Sequence, residues 1–169
     1  KEPAQQGPRE QIRDLKGART PLVRIGFHGA RMGTDDFFAL DALTMILSHG
    51  RSARYTREVV DKGLAAQAWA YNPDNRYAGM VILGGSPVEQ SETSTESVSD
   101  QEKRQAYLDA CRRVEALLLN QVEVLKNKRV SSRDLARIIK LNRRDFIDRL
   151  RGNEALAGTL ATLEVQKGW

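Results

Sequence analysis

Two histidines, two adjacent carboxylates and one thiol are the side chains of this 169-residue chain best equipped for acid–base or metal chemistry. A hydrolytic zinc site brings imidazoles and carboxylates onto one metal, commonly through two histidines four residues apart on a helix. His28 closes an apolar stretch and His49 stands before a glycine at a predicted helix terminus; they share no helical face, and no Glu-His pair accompanies either. Each therefore reads as a surface or capping residue. Asp35-Asp36 has the form of a carboxylate pair for general acid–base work. At a helix start, however, capping and the positive end of the dipole account for both. Cys111, the single cysteine, forms neither an internal disulfide nor a zinc cluster. Arg112-Arg113 beside it would favour a thiolate, whereas its place on an apolar stripe favours a buried, inert thiol. Gly26, Gly29 and Gly33 have the look of a phosphate-cradling loop, but their spacing fits no GxGxxG and no lysine–serine pair follows.

The elements that must position these groups centre on Asp36 to Ala70. Phe37 to Leu47 is apolar on nearly every side of a helical wheel, which predicts a helix buried on most of its faces. Thr34 or Asp35 can cap it, and His49-Gly50 supplies the stop. A second short helix is expected over Arg54 to Asp61, ended by Lys62-Gly63, and then a strand over Leu64 to Tyr71. Asn72-Pro-Asp-Asn75 is a turn by composition, and Tyr77 to Leu83 reads as the returning strand of an antiparallel hairpin closed by Gly84-Gly85-Ser86-Pro87. Leu22 to His28 is a further strand. Glu10 to Lys16 is a weaker one, polar enough for a sheet edge.

Downstream, the chain from about residue 86 to 102 is acidic and rich in serine and threonine, which suits an exposed connection. Ala106-Tyr107, Ala110-Cys111, Val114, Leu117-Leu118, Val122 and Leu125 recur at three- and four-residue steps, predicting one long amphipathic helix across the sheet. Ser131-Ser-Arg-Asp134 resembles a capping box. Leu135, Ile138-Ile139, Phe146-Ile147 and Leu150 mark the expected buried side of the helix it opens, and Glu154 to Val165 makes another.

Hydrophobic content of 40% and charged content of 29% are ordinary for a globular domain, and no run approaches the roughly 20 apolar residues of a membrane span. Lys1 to Pro8 has linker composition without an initiator methionine, so the chain is expected to be a fragment of something larger. Net charge is +5, and Lys126 to Arg151 gathers ten basic residues against three aspartates. Such a helix suggests a basic module for nucleic acid or for an acidic protein. No aromatic residues interleave with it for base stacking, and no DNA- or RNA-binding motif is present, which leaves a solvated face or an acidic partner as the plainer reading.

In its order of segments the chain resembles the domain shared by the insulinase/pitrilysin-like zinc peptidases, which include the mitochondrial processing peptidases and many bacterial proteins. Gly50-Arg-Ser-Ala-Arg-Tyr-Thr-Arg-Glu-Val-Val-Asp-Lys-Gly-Leu-Ala65 looks like the family's small-residue loop, Ser-Arg-Leu-Tyr helix and Lys-Gly-Leu-Ala strand entry. Val130-Ser-Ser-Arg-Asp-Leu135 looks like its Val-Ser-x-x-Glu-Leu helix start. The likeness runs from Leu22 to Glu164.

The resemblance implies an α+β fold, a mainly antiparallel sheet covered by helices on one face, with residues 1–21 a linker plus edge strand and 22–169 one domain. It also implies two homologous lobes, of which the first holds zinc through His-x-x-Glu-His. That signature is absent here. The chain is therefore expected to be the non-catalytic lobe, with zinc and catalysis in a partner lobe or subunit, a peptide as substrate and no membrane insertion. Exported relatives favour the bacterial periplasm. The arginine and tyrosine with which the second lobe grips substrate would fall at Val60 and Ala66, where both are lost. Arg54 matches the family's arginine, whereas Tyr55 replaces its leucine and Thr56 its tyrosine. Arg51, Arg54, Tyr55 and Arg57 remain as candidates for a cationic chamber wall, with Arg54 alternatively pairing with Glu58 or Asp61 to fix its helix.

Overall fold

The computed structural model describes residues 5–17, 20–88 and 99–167. Three strands form one antiparallel sheet in the order β1-β3-β2: β1 spans Val23–His28, β2 Gln67–Tyr71 and β3 Met80–Ser86. Helix α1 (Asp35–Ser48) connects β1 to a five-residue π-helical turn, Thr56–Val60, which leads into β2. After β3 come α2 (Asp100–Asn127), α3 (Ser132–Leu150) and α4 (Asn153–Lys167). The hairpin, the long helix across the sheet and the two helices after it agree with the sequence reading.

Strand alternation sorts the sheet into two faces. Val23 and Ile25 of β1, Ala68 and Ala70 of β2, and Leu83 of β3 point to the helices. There they join Leu43 and Leu47 of α1, Tyr55 and Val59, and Val114 and Leu118 of α2 in one cluster. Leu47, Tyr55, Val59 and Leu118 are completely buried. Gly85 sets how closely α2 approaches. A Cβ at that position would lie 2.8 Å from the Gln67 carbonyl oxygen and 3.0 Å from Val114 Cγ1, so only hydrogen fits beneath the helix.

Local chemistry fixes the ends. Thr34, not Asp35, caps α1, its Oγ1 accepting from the Phe37 amide at 3.3 Å. Gly50 and Gly63 take φ of 82° and 66° in the turns on either side of the π-helical segment, a region open to glycine at little cost. Ser99 and Glu102 form a reciprocal capping box at the start of α2. Ser131 Oγ accepts from the Asp134 amide at the start of α3.

Several expectations are corrected. Glu10 to Lys16 is exposed and pairs with no strand; its alternation is too weak to bury one side. Gly84, Gly85 and Ser86 belong to β3 instead of closing the hairpin, because glycine here makes room for packing and not for a turn. The segment after Ala53 hydrogen-bonds in part as a π-helix, the Asp61 amide reaching the Thr56 carbonyl at 2.8 Å. Helix α1 is buried on one side only, with Phe38 55% exposed. Of the stripe on α3, Ile138 alone is buried, while Leu135, Ile139, Phe146, Ile147 and Leu150 are 43% to 55% exposed. Of the acidic connection, residues 89–98 lie outside the described residues, and its end at 99–102 is the first turn of α2.

Leu118 touches sheet and helices alike from a fully buried position. Leu118→Ala should lower unfolding free energy by about 2–5 kcal/mol in urea titration. Phe38→Ala, at an exposed site, should cost under about 1 kcal/mol.

Candidate substrate-facing surface

The arginines that the sequence places around the second helix go different ways. Arg51 and Arg57 are exposed. Arg54 turns inward: its Nε and Nη2 donate to Gln121 Oε1 of α2 at 3.2 and 3.0 Å. Gln121 is 7% exposed, so this fork supplies a buried amide with its partner. Neither Glu58 nor Asp61 is bonded to Arg54; Glu58 instead accepts from Lys62 at 2.6 Å, which holds its carboxyl below the usual value.

Tyr55 is withdrawn from any wall. Its ring has no exposure and its hydroxyl donates to the Leu118 carbonyl at 3.3 Å, so it is a core residue joining the π-helical segment to α2. Burial pushes its phenol well above the ordinary value near 10. Val60 is half-buried and Ala66 exposed, with the Ala66 amide bonded to the Ser86 carbonyl at 2.9 Å. Neither side chain has a polar atom to offer a substrate.

Of the groups with chemical potential, His49 lines one cleft with Asp41 and Asp145, and His28, Asp35, Asp36 and Cys111 are not in its lining. His28 meets Gln5 Oε1 at 3.1 Å, and His49 lies 3.6 Å from Asp145 on α3. Asp35 and Asp36 sit exposed in the first turn of α1. Cys111 is half-buried, and desolvation raises its thiol pKa, which makes it a poor nucleophile. Among the described residues no three His, Cys, Asp or Glu side chains are placed to hold a metal. A cleft of about 390 Å³ lies between α1, the end of β2 and α3, and Asp41 in it has its carboxyl raised by burial and by Asp74. His49 and Asp145 line the same cleft, while Ser48 Oγ there donates to the Thr44 and Ala70 carbonyls and not to a base. On the basic helix α3, Arg144 and Arg151 both pair with Asp148. No helix among the described residues is long and apolar enough to cross a membrane.

What the arginine pattern did not reveal is the second face of the sheet. Arg24, Gly26 and His28 of β1, Met80, Ile82, Gly84 and the buried Ser86 of β3, and Gln67, Trp69 and Tyr71 of β2 alternate away from the helix cluster, Trp69 and Ile82 being half-buried. Arg24, Gln67, Tyr71 and Met80 are exposed. The signal was present in Gln67-Ala-Trp-Ala-Tyr71, where small residues alternate with large ones. The alanines lie under the helices, and the aromatic residues fall on the other side.

Two consequences can be measured. Arg54→Met keeps the stem but strands the buried Gln121 amide, and should cost about 1–3 kcal/mol in urea titration; Arg57→Met should be silent. Tyr55 makes stability fall at high pH. Its folded pKa lies above the unfolded one, so its contribution is complete below about pH 10 and is lost as pH rises above it. Between pH 8 and 10.5 the urea midpoint should drop in the unsubstituted chain and drop less in Tyr55→Phe.

Residues 1–142 match the sequence profile of the Peptidase M16 inactive domain. The chain is similar to the zinc protease PqqE of Helicobacter pylori, 29% identical over 170 residues covering 98% of this chain and 34% of that protein. It thus spans about a third of that relative's length. Two solved structures share the fold. One is a protease from Helicobacter pylori (TM-score 0.69, 22% identity, 91% of this chain and 33% of that one). The other is an inactive peptidase domain from Bordetella parapertussis (TM-score 0.64, 22% identity, 93% of this chain and 74% of that one). By the profile that covers residues 1–142, the chain belongs to the family of Peptidase M16 inactive domains, the non-catalytic domains of zinc proteases.

Proposed function

We propose that residues 22–169 act as one lobe that forms a wall of a peptide-holding chamber, closed against a homologous lobe that carries the zinc. The observation that carries this reading is the one-sided sheet. Helices cover the face bearing Val23, Ile25, Ala68, Ala70 and Leu83, while Trp69, Tyr71 and Met80 stand on the other. A surface built on a rigid sheet suits the positioning of a bound chain better than a loop does. Zinc held by the partner lobe would supply the Lewis-acid chemistry of hydrolysis there. The present chain orients the peptide and keeps bulk water out. Peptide is the substrate class, and no nucleic acid is required.

The test mixes the chain with a separately produced zinc-bearing lobe of the same full-length protein. The chain alone is expected to retain no stoichiometric zinc and to leave an unstructured fluorogenic peptide intact. Together, the two lobes should cleave it at least about tenfold faster than the zinc lobe alone, as positioning effects of about 1.4 kcal/mol or more would give. Equal rates with and without this chain would overturn the chamber reading.

A further inference from the structure

The open face of the sheet has a floor that glycine makes flat. Trp69, Gly84 and Arg24 lie in one cross-strand row, Gly84 pairing with Trp69 on one side and with Arg24 on the other. A Cβ at Gly84 would collide with Trp69 Cζ2, Cε2 and Cη2, so the indole lies down across β3 towards β1 instead of standing off the sheet. Met80 does the same one strand over: its Sδ lies 3.3 Å from where a Cβ of Gly26 would be. Ile82 sits between Gly84 and Met80 on β3, with Tyr71 opposite it on β2. The result is a low apolar platform made of Trp69, Ile82, Met80 and Tyr71.

The charge on this platform has one sign. Arg24 lies on β1 at the end of the Trp69 row, about 10 Å from the β2 backbone across two strand spacings. Among the described strand residues of this face there is no carboxylate; the ionisable ones are Arg24, His28 and Tyr71. Arg24 is exposed, and its guanidinium is a fork matched to a carboxylate. The indole that reaches towards it offers a broad apolar plate of the kind that dominates binding energy at interfaces. A second copy of this chain is a poor occupant, since the strand residues of this face offer no carboxylate to meet the Arg24 of the other copy.

We infer that this face binds an extended peptide segment in which an apolar or aromatic side chain neighbours a carboxylate, the apolar group resting on Trp69 and the carboxylate meeting Arg24. The inference deepens the chamber reading by naming what the wall selects. It moves the selective cation from Arg54, which is committed to Gln121, to Arg24. The ring and the guanidinium are carried on one cross-strand row of the sheet, which fixes their backbone spacing and leaves chiefly the exposed Arg24 side chain to be ordered on binding.

Trp69 reports on its own site. The chain holds two tryptophans, so Trp169→Phe leaves Trp69 as the one indole fluorophore. Titrated to millimolar concentration, the blocked peptide acetyl-Gly-Phe-Asp-Gly-amide should shift Trp69 emission saturably. The Phe-Asn counterpart should bind about two- to fivefold more weakly, the factor an exposed ion pair supplies. Arg24→Met or Arg24→Gln, each verified as folded by circular dichroism, should equalise the two peptides. Trp69→Leu should abolish the calorimetric signal for both. No saturable shift with Phe-Asp would overturn the inference, as would continued preference for Phe-Asp in both Arg24 variants, or a concentration-dependent rise in mass that hides the face in a self-dimer. Because binding is read on this chain alone, its failure is distinct from failure to restore cleavage by the zinc lobe.

Discussion

The contact on which the fold depends is the approach of α2 to β3 over Gly85. With no side chain at that position, Val114 Cγ1 comes within 3.0 Å of where a Cβ would stand and Leu118 Cδ1 within 3.5 Å. Close packing of this kind places Leu118 and Val114 against Leu83 and the alanines of β2, and it is there that the core finds its largest completely buried side chains. The polar bonds between the π-helical segment and α2 depend on it in turn. Tyr55 reaches the Leu118 carbonyl, and Arg54 reaches Gln121, one turn further along α2. Moving the helix outward by a methyl group would lengthen both. Hydrophobic approach and polar satisfaction are therefore coupled in one joint.

That joint also explains which residues were legible in the sequence. The three-and-four spacing of α2 and the turn between β2 and β3 are local signals, and both elements stand where the pattern placed them. Gly84-Gly85 was read as a break because glycine is local evidence for a turn. Its use here is tertiary, since one glycine admits α2 from one side and the next admits Trp69 from the other. Arg54 shows the same limit. Its neighbours within one helical turn offered carboxylates, yet its partner lies 67 residues away and is a neutral amide. Tyr55 was carried as a wall residue by its position in a motif, while burial is decided by which side of the π-helical segment meets Leu118. The amphipathic stripe of α3 is real, but periodicity states only that a helix has an apolar side and not that something in the same chain covers it.

Several titratable groups of this non-catalytic domain are engaged locally. His28 is taken up by Gln5 at a strand end, His49 by Asp145 across the α1–α3 contact, and Glu102 by its own helix cap. Of these, the His49–Asp145 pair alone borders a cleft, which it shares with Asp41. Where an active lobe must spend polar side chains on a metal, this one spends them on helix ends and on one buried amide.

A one-layer cover of helices on a sheet divides side chains by alternation, and this division decides where function can reside. Residues pointing to the helices are consumed by packing: Ala68 and Ala70 are small because α1 and α2 must come close, and Tyr55 and Arg54 are drawn into the same layer from the π-helical segment. Side chains of the opposite face have no such duty, so nothing in the packing of the described residues requires a tryptophan at position 69 or a tyrosine at 71. Trp69, half-buried, covers Gly84, where any larger residue would collide with the indole. A β-branched residue at 84 would suit a strand better than glycine does, but it would displace the half-buried indole of Trp69. Gly84 and the indole that lies over it, in one row with Arg24, thus form a flat patch on the side of the sheet away from the helix cluster.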